Sequence, residues 1–149
     1  MTTEHDDVLE RADGRGREQG LSYAGAVTPA EAWQLQQAGA ARIIDVRTEP
    51  EWLYVGHIPG TQLVQWRQFK AQQPDPQFLQ NLGAVADPSQ PVLFLCRSAQ
   101  RSHHAATLAA QHGWRAYNIL EGFEGDIDEQ EHRGIRGGWR KAGLPWVQS

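Results

Sequence analysis

The sequence predicts an α/β fold with a central parallel sheet, and three observations carry that expectation. Short apolar runs at Arg42–Val46, Pro91–Leu95 and Arg115–Leu120 read as buried strands. Segments with helical spacing of apolar residues lie between them, and glycine or proline punctuates the junctions. Strands that alternate with helices in this way pack as a parallel sheet with right-handed crossovers.

Taken in order, residues 1–22 form a polar arm with glycines at 14, 16 and 20. Each glycine costs a helix interior about 1 kcal/mol, so the arm is expected to be disordered or a frayed helix around Asp7–Arg17. The domain proper is then 23–149. Thr28-Pro29-Ala30-Glu31 is a helix start: Thr28 caps, Pro29 takes the first helical position and Glu31 completes a capping box. Ala32, Leu35 and Gln36 face one way, and Gly39 stops the helix. After the strand Arg42–Val46, Gly56-His57-Ile58-Pro59-Gly60 is a turn, followed by a short strand at Gln62–Trp66.

Pro74 and Pro76 mark a loop before a helix over Gln77–Val85. Pro91–Leu95 is apolar on both faces, which places it centrally in the sheet. Ser102–His112 is helical, with Ala105, Ala106, Leu108 and Ala109 apolar and Gly113 as its stop. After the strand at Arg115–Leu120, a charged, glycine-rich stretch (Glu121–Gly134) leads to a last helix near Ile135–Ala142. Gly143 and Pro145 close it. There is no internal repeat.

The bulk numbers fit one domain. The chain has 149 residues, 40% hydrophobic and 21% charged, a size that buries roughly 70% of the unfolded surface without staples. The longest apolar run, Val92–Cys96, is far short of the ~20 residues of a membrane span. The acidic N-terminus lacks the apolar segment of a secretory signal, so a cytoplasmic location is expected. A net charge of −4 argues against nucleic acid as a partner, and nothing points to a membrane. The single cysteine, Cys96, has no internal disulfide partner; it is either a small buried residue or a nucleophile.

Its context favours the nucleophile. Cys96 stands between the end of the central strand and the start of a helix, and ligand sites in open α/β sheets lie at these carboxyl ends. Backbone N–H groups at a helix N-terminus favour an anion, including a thiolate. Arg97 and Arg101 add positive charge, and Ser98 and Ser102 add hydroxyl donors. The short loop Cys96-Arg97-Ser98-Ala99-Gln100-Arg101-Ser102 is therefore read as a cradle for an anionic substrate.

Ile43-Ile44-Asp45-Val46-Arg47, Glu51, Gly56–Gly60, Cys96–Ser102 and Gly143-Leu144-Pro145-Trp146 together resemble the ordered landmarks of rhodanese domains. The resemblance spans about residues 25–147. It implies a rhodanese-like three-layer fold, with a central parallel β-sheet flanked by helices. It also implies a thiosulfate sulfurtransferase in which Cys96 cycles between thiolate and persulfide. Arg97, Ser98, Ala99, Gln100, Arg101 and Ser102 would then bind the sulfur and a small anionic donor, and an external thiol or protein would accept the sulfur. No cofactor is called for. Two features depart from the family pattern: Ala99 replaces a common glycine, and Glu124–Arg136 is a longer, more charged link.

A persulfide carrier with low turnover is the alternative, since it needs the same loop. A cysteine-dependent phosphatase or arsenate reductase shares the architecture, but those phosphatases use Cys-x5-Arg, whereas here the arginine falls one residue earlier. Asp45 and Arg47 are placed at the pocket rim, or else tie the following turn together with an ion pair to Glu51. His57 is read as structural. His103, His104 and His112 lack metal-ligand spacing, so no metal site is expected. Of the six tryptophans, Trp66 and Trp139 are candidates to wall the entrance. The basic tail residues Arg133, Arg136, Arg140 and Lys141 read as a solvated face.

Overall fold

The computed structural model describes residues 4–67, 73–96, 100–120, 122–123, 139 and 142–147. The predicted α/β architecture is present: a five-stranded sheet in the order β1-β5-β4-β2-β3, parallel throughout. Its strands are β1 (Gly25–Val27), β2 (Arg42–Asp45), β3 (Gln62–Leu63), β4 (Val92–Leu95) and β5 (Ala116–Ile119). β4 is the middle strand, as its two-sided apolar sequence demands. The helices are α1 (Glu4–Gln19), α2 (Pro29–Gln37), α3 (Phe78–Val85) and α4 (Gln100–Gln111).

The alternation of side chains along each strand divides the core in two. Ile43, Leu93, Leu95, Tyr117 and Ile119 face one way and pack with Val8, Leu9 and Ala12 of α1 and Ala32 and Leu35 of α2. Ile44, Val92, Phe94, Cys96 and Ala116 face the other way, toward Phe78 and Leu82 of α3 and Ala105, Ala106 and Ala109 of α4. Helices therefore cover both faces of the sheet.

The start of α2 is the expected one: Thr28 Oγ1 accepts from the Glu31 N–H, and the Glu31 carboxylate accepts from the Thr28 N–H. Gln36 is partly buried, and its side chain bridges Pro59 O and the Ile43 N–H. β3 is shorter than expected. The N–H groups of Val64 and Trp66 nevertheless bond to the carbonyls of Asp45 and Val46 and carry the pairing past its end. A single turn of π-helix at Glu51–Val55 has no counterpart in the sequence reading. The last helix expected near Ile135–Ala142 falls largely outside the described residues, as does Glu124–Arg136.

The largest correction concerns the N-terminal arm. It is a 16-residue helix docked on the sheet edge, not a disordered or frayed segment. Two of its glycines were counted as breakers, but Gly16 serves packing: a Cβ there would lie 2.2 Å from Ala24 O. Gly25 on β1 answers it, since a Cβ at that position would fall 2.0 Å from Ala12 O. Asp13 accepts from the Tyr117 hydroxyl and from Arg115, and Arg15 grips Glu31 through both terminal nitrogens. Tertiary contacts have overridden local propensity.

Candidate active site

The period of two that builds the core also places the cysteine. Val92, Phe94 and Cys96 share one face of β4, and in register on β5 Ala116 and Asn118 sit beside Val92 and Phe94. Cys96 follows directly, at the carboxyl end of the central strand and on the face covered by α4. It is 1% exposed, and its carbonyl accepts from the Phe123 N–H at 2.8 Å, which pins the point where the chain leaves the strand. Arg97, Ser98 and Ala99, and the side chain of Gln100, lie outside the described residues.

Ser102 does not face outward as a substrate ligand would. It is fully buried on α4, with Oγ 3.3 Å from Cys96 Sγ and 2.5 Å from Asn118 Oδ1. It therefore meets the sulfur from the core side. Asn118 was missed by the sequence reading. Its signal was there: one polar carboxamide in the buried strand Ala116-Tyr117-Asn118-Ile119.

Arg101 is present near the sulfur but its charge is already engaged. Its two terminal nitrogens donate to the two Glu51 oxygens at 2.7 and 2.8 Å. Burial pushes the Glu51 carboxyl up, but the Arg101 hydrogen bonds and charge outweigh it, with help from Thr48, and hold it at about 2. Burial lowers the Arg101 value, and Glu51 more than reverses this, so the net direction is upward. The expected partner of Glu51 was Arg47; the structure corrects this to Arg101.

Asp45 and Arg47 do not line a rim. Both are 0% exposed, and alternation along β2 turns Asp45 to the sheet face opposite Cys96. Arg47 Nη2 donates to Asp45 Oδ2 at 2.6 Å and to Gly56 O at 2.7 Å, and its guanidinium lies 4.4 Å from the centre of the Phe123 ring. The pair thus braces the Gly56 turn and Phe123, whose N–H holds the Cys96 carbonyl. His57 is structural, with its ring stacked on Trp52 at 4.2 Å and its backbone bridged to Val147.

Beside Arg101 lies a cavity of about 480 Å³, walled by Trp66, Arg67, Pro74, Arg101, His104 and Leu108 among others. Trp66, one of the two tryptophans considered for the entrance, walls this cavity. Trp139 does not: it is fully buried in the α1–α2 core, with Nε1 donating to Pro145 O. Among the described residues no helix is long and apolar enough to cross a membrane.

Comparison with known proteins agrees with this fold. The family model for the rhodanese-like domain matches residues 28–128. The chain is 35% identical over 110 residues to the uncharacterised protein RP600 of Rickettsia prowazekii (strain Madrid E), covering 71% of this chain and 82% of that one. It is 37% identical over 109 residues to the uncharacterised RC0915 of Rickettsia conorii, with the same coverage. Among solved structures, Rv0390 from M. tuberculosis superposes with a TM-score of 0.76 at 41% identity, covering 85% of this chain and 99% of that one. A rhodanese-related protein of Thermoplasma volcanium shares the fold at 18% identity and a TM-score of 0.56, covering 83% and 98%.

Proposed function

Because this chain belongs to the rhodanese-like domain family, we propose that it is a sulfurtransferase in which Cys96 carries sulfur as a persulfide. The observation that carries the reading is the place of the chain's one cysteine: the carboxyl end of the central strand, four residues ahead of α4. That is where an open α/β sheet presents its chemistry and where backbone N–H groups favour an anionic sulfur.

The reaction is two-step covalent catalysis. The Cys96 thiolate attacks the outer sulfur of a thiosulfate-like donor; a new S–S bond forms, the old one breaks, and sulfite leaves with the electron pair. An external thiolate or cyanide then attacks the outer sulfur of the persulfide and restores the Cys96 thiolate. With no second cysteine, discharge requires an acceptor from outside the chain. Burial of Cys96 keeps bulk water from the persulfide, and the cavity beside Arg101 offers an acceptor room to approach. A cytoplasmic setting, where small thiols are abundant, suits that acceptor.

The test is thiocyanate production from thiosulfate and cyanide by the protein and by Cys96→Ser. Turnover in the first and none in the second is expected. Equal turnover in both places the chemistry elsewhere. No turnover in either, but a one-sulfur mass gain on Cys96 when a sulfur-loaded partner protein is supplied, replaces the enzyme with a carrier. Phosphate ester hydrolysis without sulfur transfer overturns both.

A further inference from the structure

The cavity of about 480 Å³ opens along α4, starting at its first turn. Arg101, His104, Leu108 and Gln111 supply one wall. Their spacing of three, four and three puts them on a single stripe of the helix. Ser102, Ala105, Ala106 and Ala109 form the buried side of α4, toward the sheet. The facing wall is Trp66, Arg67 and Pro74, from the segment after β3. Two hydrogen bonds fix that segment: the Trp66 N–H donates to Val46 O, and the Asp75 N–H donates to Trp66 O at 2.7 Å. The Trp66 ring also packs edge-on against Phe78, with 5.1 Å between centroids. This apolar wall stands before any ligand arrives.

The near end of the cavity lies beside the reacting group. Arg101 precedes Ser102, whose Oγ is 3.3 Å from Cys96 Sγ. From Arg101 the stripe runs roughly 15 Å along the helix axis to Gln111. Cys96 itself is not in the wall. A molecule seated here therefore keeps its body in the cavity and extends one end past Arg101 to reach the sulfur.

Size and charge choose that molecule. The volume falls among sites for organic ligands, roughly 300–1,000 Å³, and far exceeds what thiosulfate fills. Trp66, Pro74 and Leu108 offer apolar surface. The available charge is Arg67, which enters no ion pair among the described residues, whereas Arg101 is held by Glu51. His104 and Gln111 add N–H donors. No carboxylate stands among the described lining residues, although the chain as a whole carries a net charge of −4. One free guanidinium balances one carboxylate; a phosphoryl group, with nearly two charges, would be left half neutralised.

We infer that this cavity holds the sulfur acceptor, an organic thiol with an apolar body and a carboxylate away from its sulfur, and that Arg67 selects it. The inference rests on the reading of Cys96 as a sulfur carrier, and it names the acceptor's chemical class. With the carboxylate on Arg67 and the chain against Trp66 and Leu108, the acceptor thiolate attacks the outer sulfur of the persulfide. A new S–S bond forms, the bond to Cys96 Sγ breaks, and its electron pair returns to Cys96. The product leaves as an organic persulfide. Arg67 touches no reacting atom and acts on specificity alone.

The deciding experiment is an amide NMR titration of the full chain with ω-mercaptohexanoate and with ω-mercaptohexanol, which matches it in length and lacks the charge. The carboxylate should bind about fivefold more tightly, the worth of one partly exposed ion pair. Both thiols should shift the Trp66 indole N–H and the Leu108 amide. In Arg67→Gln the two should bind alike. Gln111→Glu, at an exposed position, should weaken the carboxylate and spare the alcohol, so the answer survives a poorly folding Arg67 variant. Equal affinities in the wild type, a preference that persists in Arg67→Gln, or shifts confined to other parts of the chain would overturn the site. In sulfite release from thiosulfate the same preference should appear in KM and not in kcat, since the carboxylate contact is equal in ground and transition states. The titration needs no sulfur transfer. A failed thiocyanate assay sinks the sulfurtransferase reading and the acceptor role with it, while the titration still decides whether the carboxylate site exists. Thiocyanate production without a carboxylate preference sinks the acceptor site alone.

Discussion

Glu51 and Arg101, fifty residues apart in sequence, meet through two parallel hydrogen bonds of 2.7 and 2.8 Å. Both side chains are one-fifth exposed. The pair ties the π-helical turn after β2 to the first turn of α4, on the residue that closes the cysteine loop. Arg101 therefore contributes as a clamped charge whose position is fixed before any donor arrives, and bidentate geometry makes that position specific.

This clamp should be visible in acid. The Glu51 carboxyl sits at about 2 in the fold against an ordinary 4.5. A carboxyl lowered by folding contributes stability that is complete above its unfolded value and is lost as pH falls through its folded one. Solvent screening at this partly exposed position trims the contribution to about 1–2 kcal/mol. Chemical denaturation at a series of pH values should show Glu51→Gln less stable than wild type by that amount at about pH 6, with the gap closing on descent from pH 4.5 to 2. A gap that stays constant with pH refutes the ion pair as its source.

Arg101→Lys is expected to behave as a loss. A lysine keeps the charge but brings one ammonium to a site built for a fork. Sulfur transfer should fall about tenfold, a loss of roughly one charge-assisted hydrogen bond. Steady-state rates with thiosulfate and cyanide check this; full activity in Arg101→Lys means that charge alone suffices.

The buried pair behind the site gives a sharper test. Asp45 and Arg47 are both 0% exposed, and removing one partner leaves the other charge uncompensated, at a cost of about 3–5 kcal/mol. Asp45→Asn should lose that much in urea unfolding. Asp45→Asn with Arg47→Met removes the stranded cation, keeps an oxygen for the residue 47 N–H that Asp45 Oδ1 now accepts from, and should recover much of the loss. If the double variant is weaker than Asp45→Asn, the unpaired charge is not what the single substitution costs.

What was legible in the sequence was local. The capping box at Thr28 and Glu31 uses residues three apart, and the central place of β4 follows from four consecutive apolar residues. The position of Cys96 followed from those elements. What was not legible was long-range pairing. Nothing in the spacing tells Glu51 to choose Arg101 over Arg47, because the choice is made by the fold: Arg47 is taken up by Asp45 and the Gly56 carbonyl, and α4 brings Arg101 to the turn that carries Glu51. Asn118 was readable in principle, since a polar residue amid a buried strand needs partners. Ser102, which donates to it, comes from α4. Gly16 of α1 misled for the same reason: its cost is local, and its use is a close approach to the backbone at Ala24 and Gly25.

That contact yields the last prediction. Gly25 of β1 and Gly16 of α1 let helix backbone and strand backbone meet, and a Cβ on Gly25 would stand 2.0 Å from Ala12 O. Backbone on both sides of the clash leaves no flexible side chain to yield. Gly25→Ala should therefore lift α1 off the sheet edge and expose Val8, Leu9 and Ala12, which are buried in the same core as Tyr117 and Leu35. Two aliphatic side chains of this size account for about 3–6 kcal/mol of burial. The Asp13 bonds to Tyr117 and Arg115 would go with them. Amide exchange should accelerate across Glu4–Gln19 while β4 and α4 stay protected, because β4 is paired on both edges by β5 and β2 and α4 packs on the opposite face of the sheet. Gly14→Ala is the control: a Cβ there meets only the far end of Arg17, so it should leave exchange unchanged or slow it, by improving helix propensity. Unchanged exchange over Glu4–Gln19 in Gly25→Ala would mean that the helix is not seated as closely as the glycine pair requires.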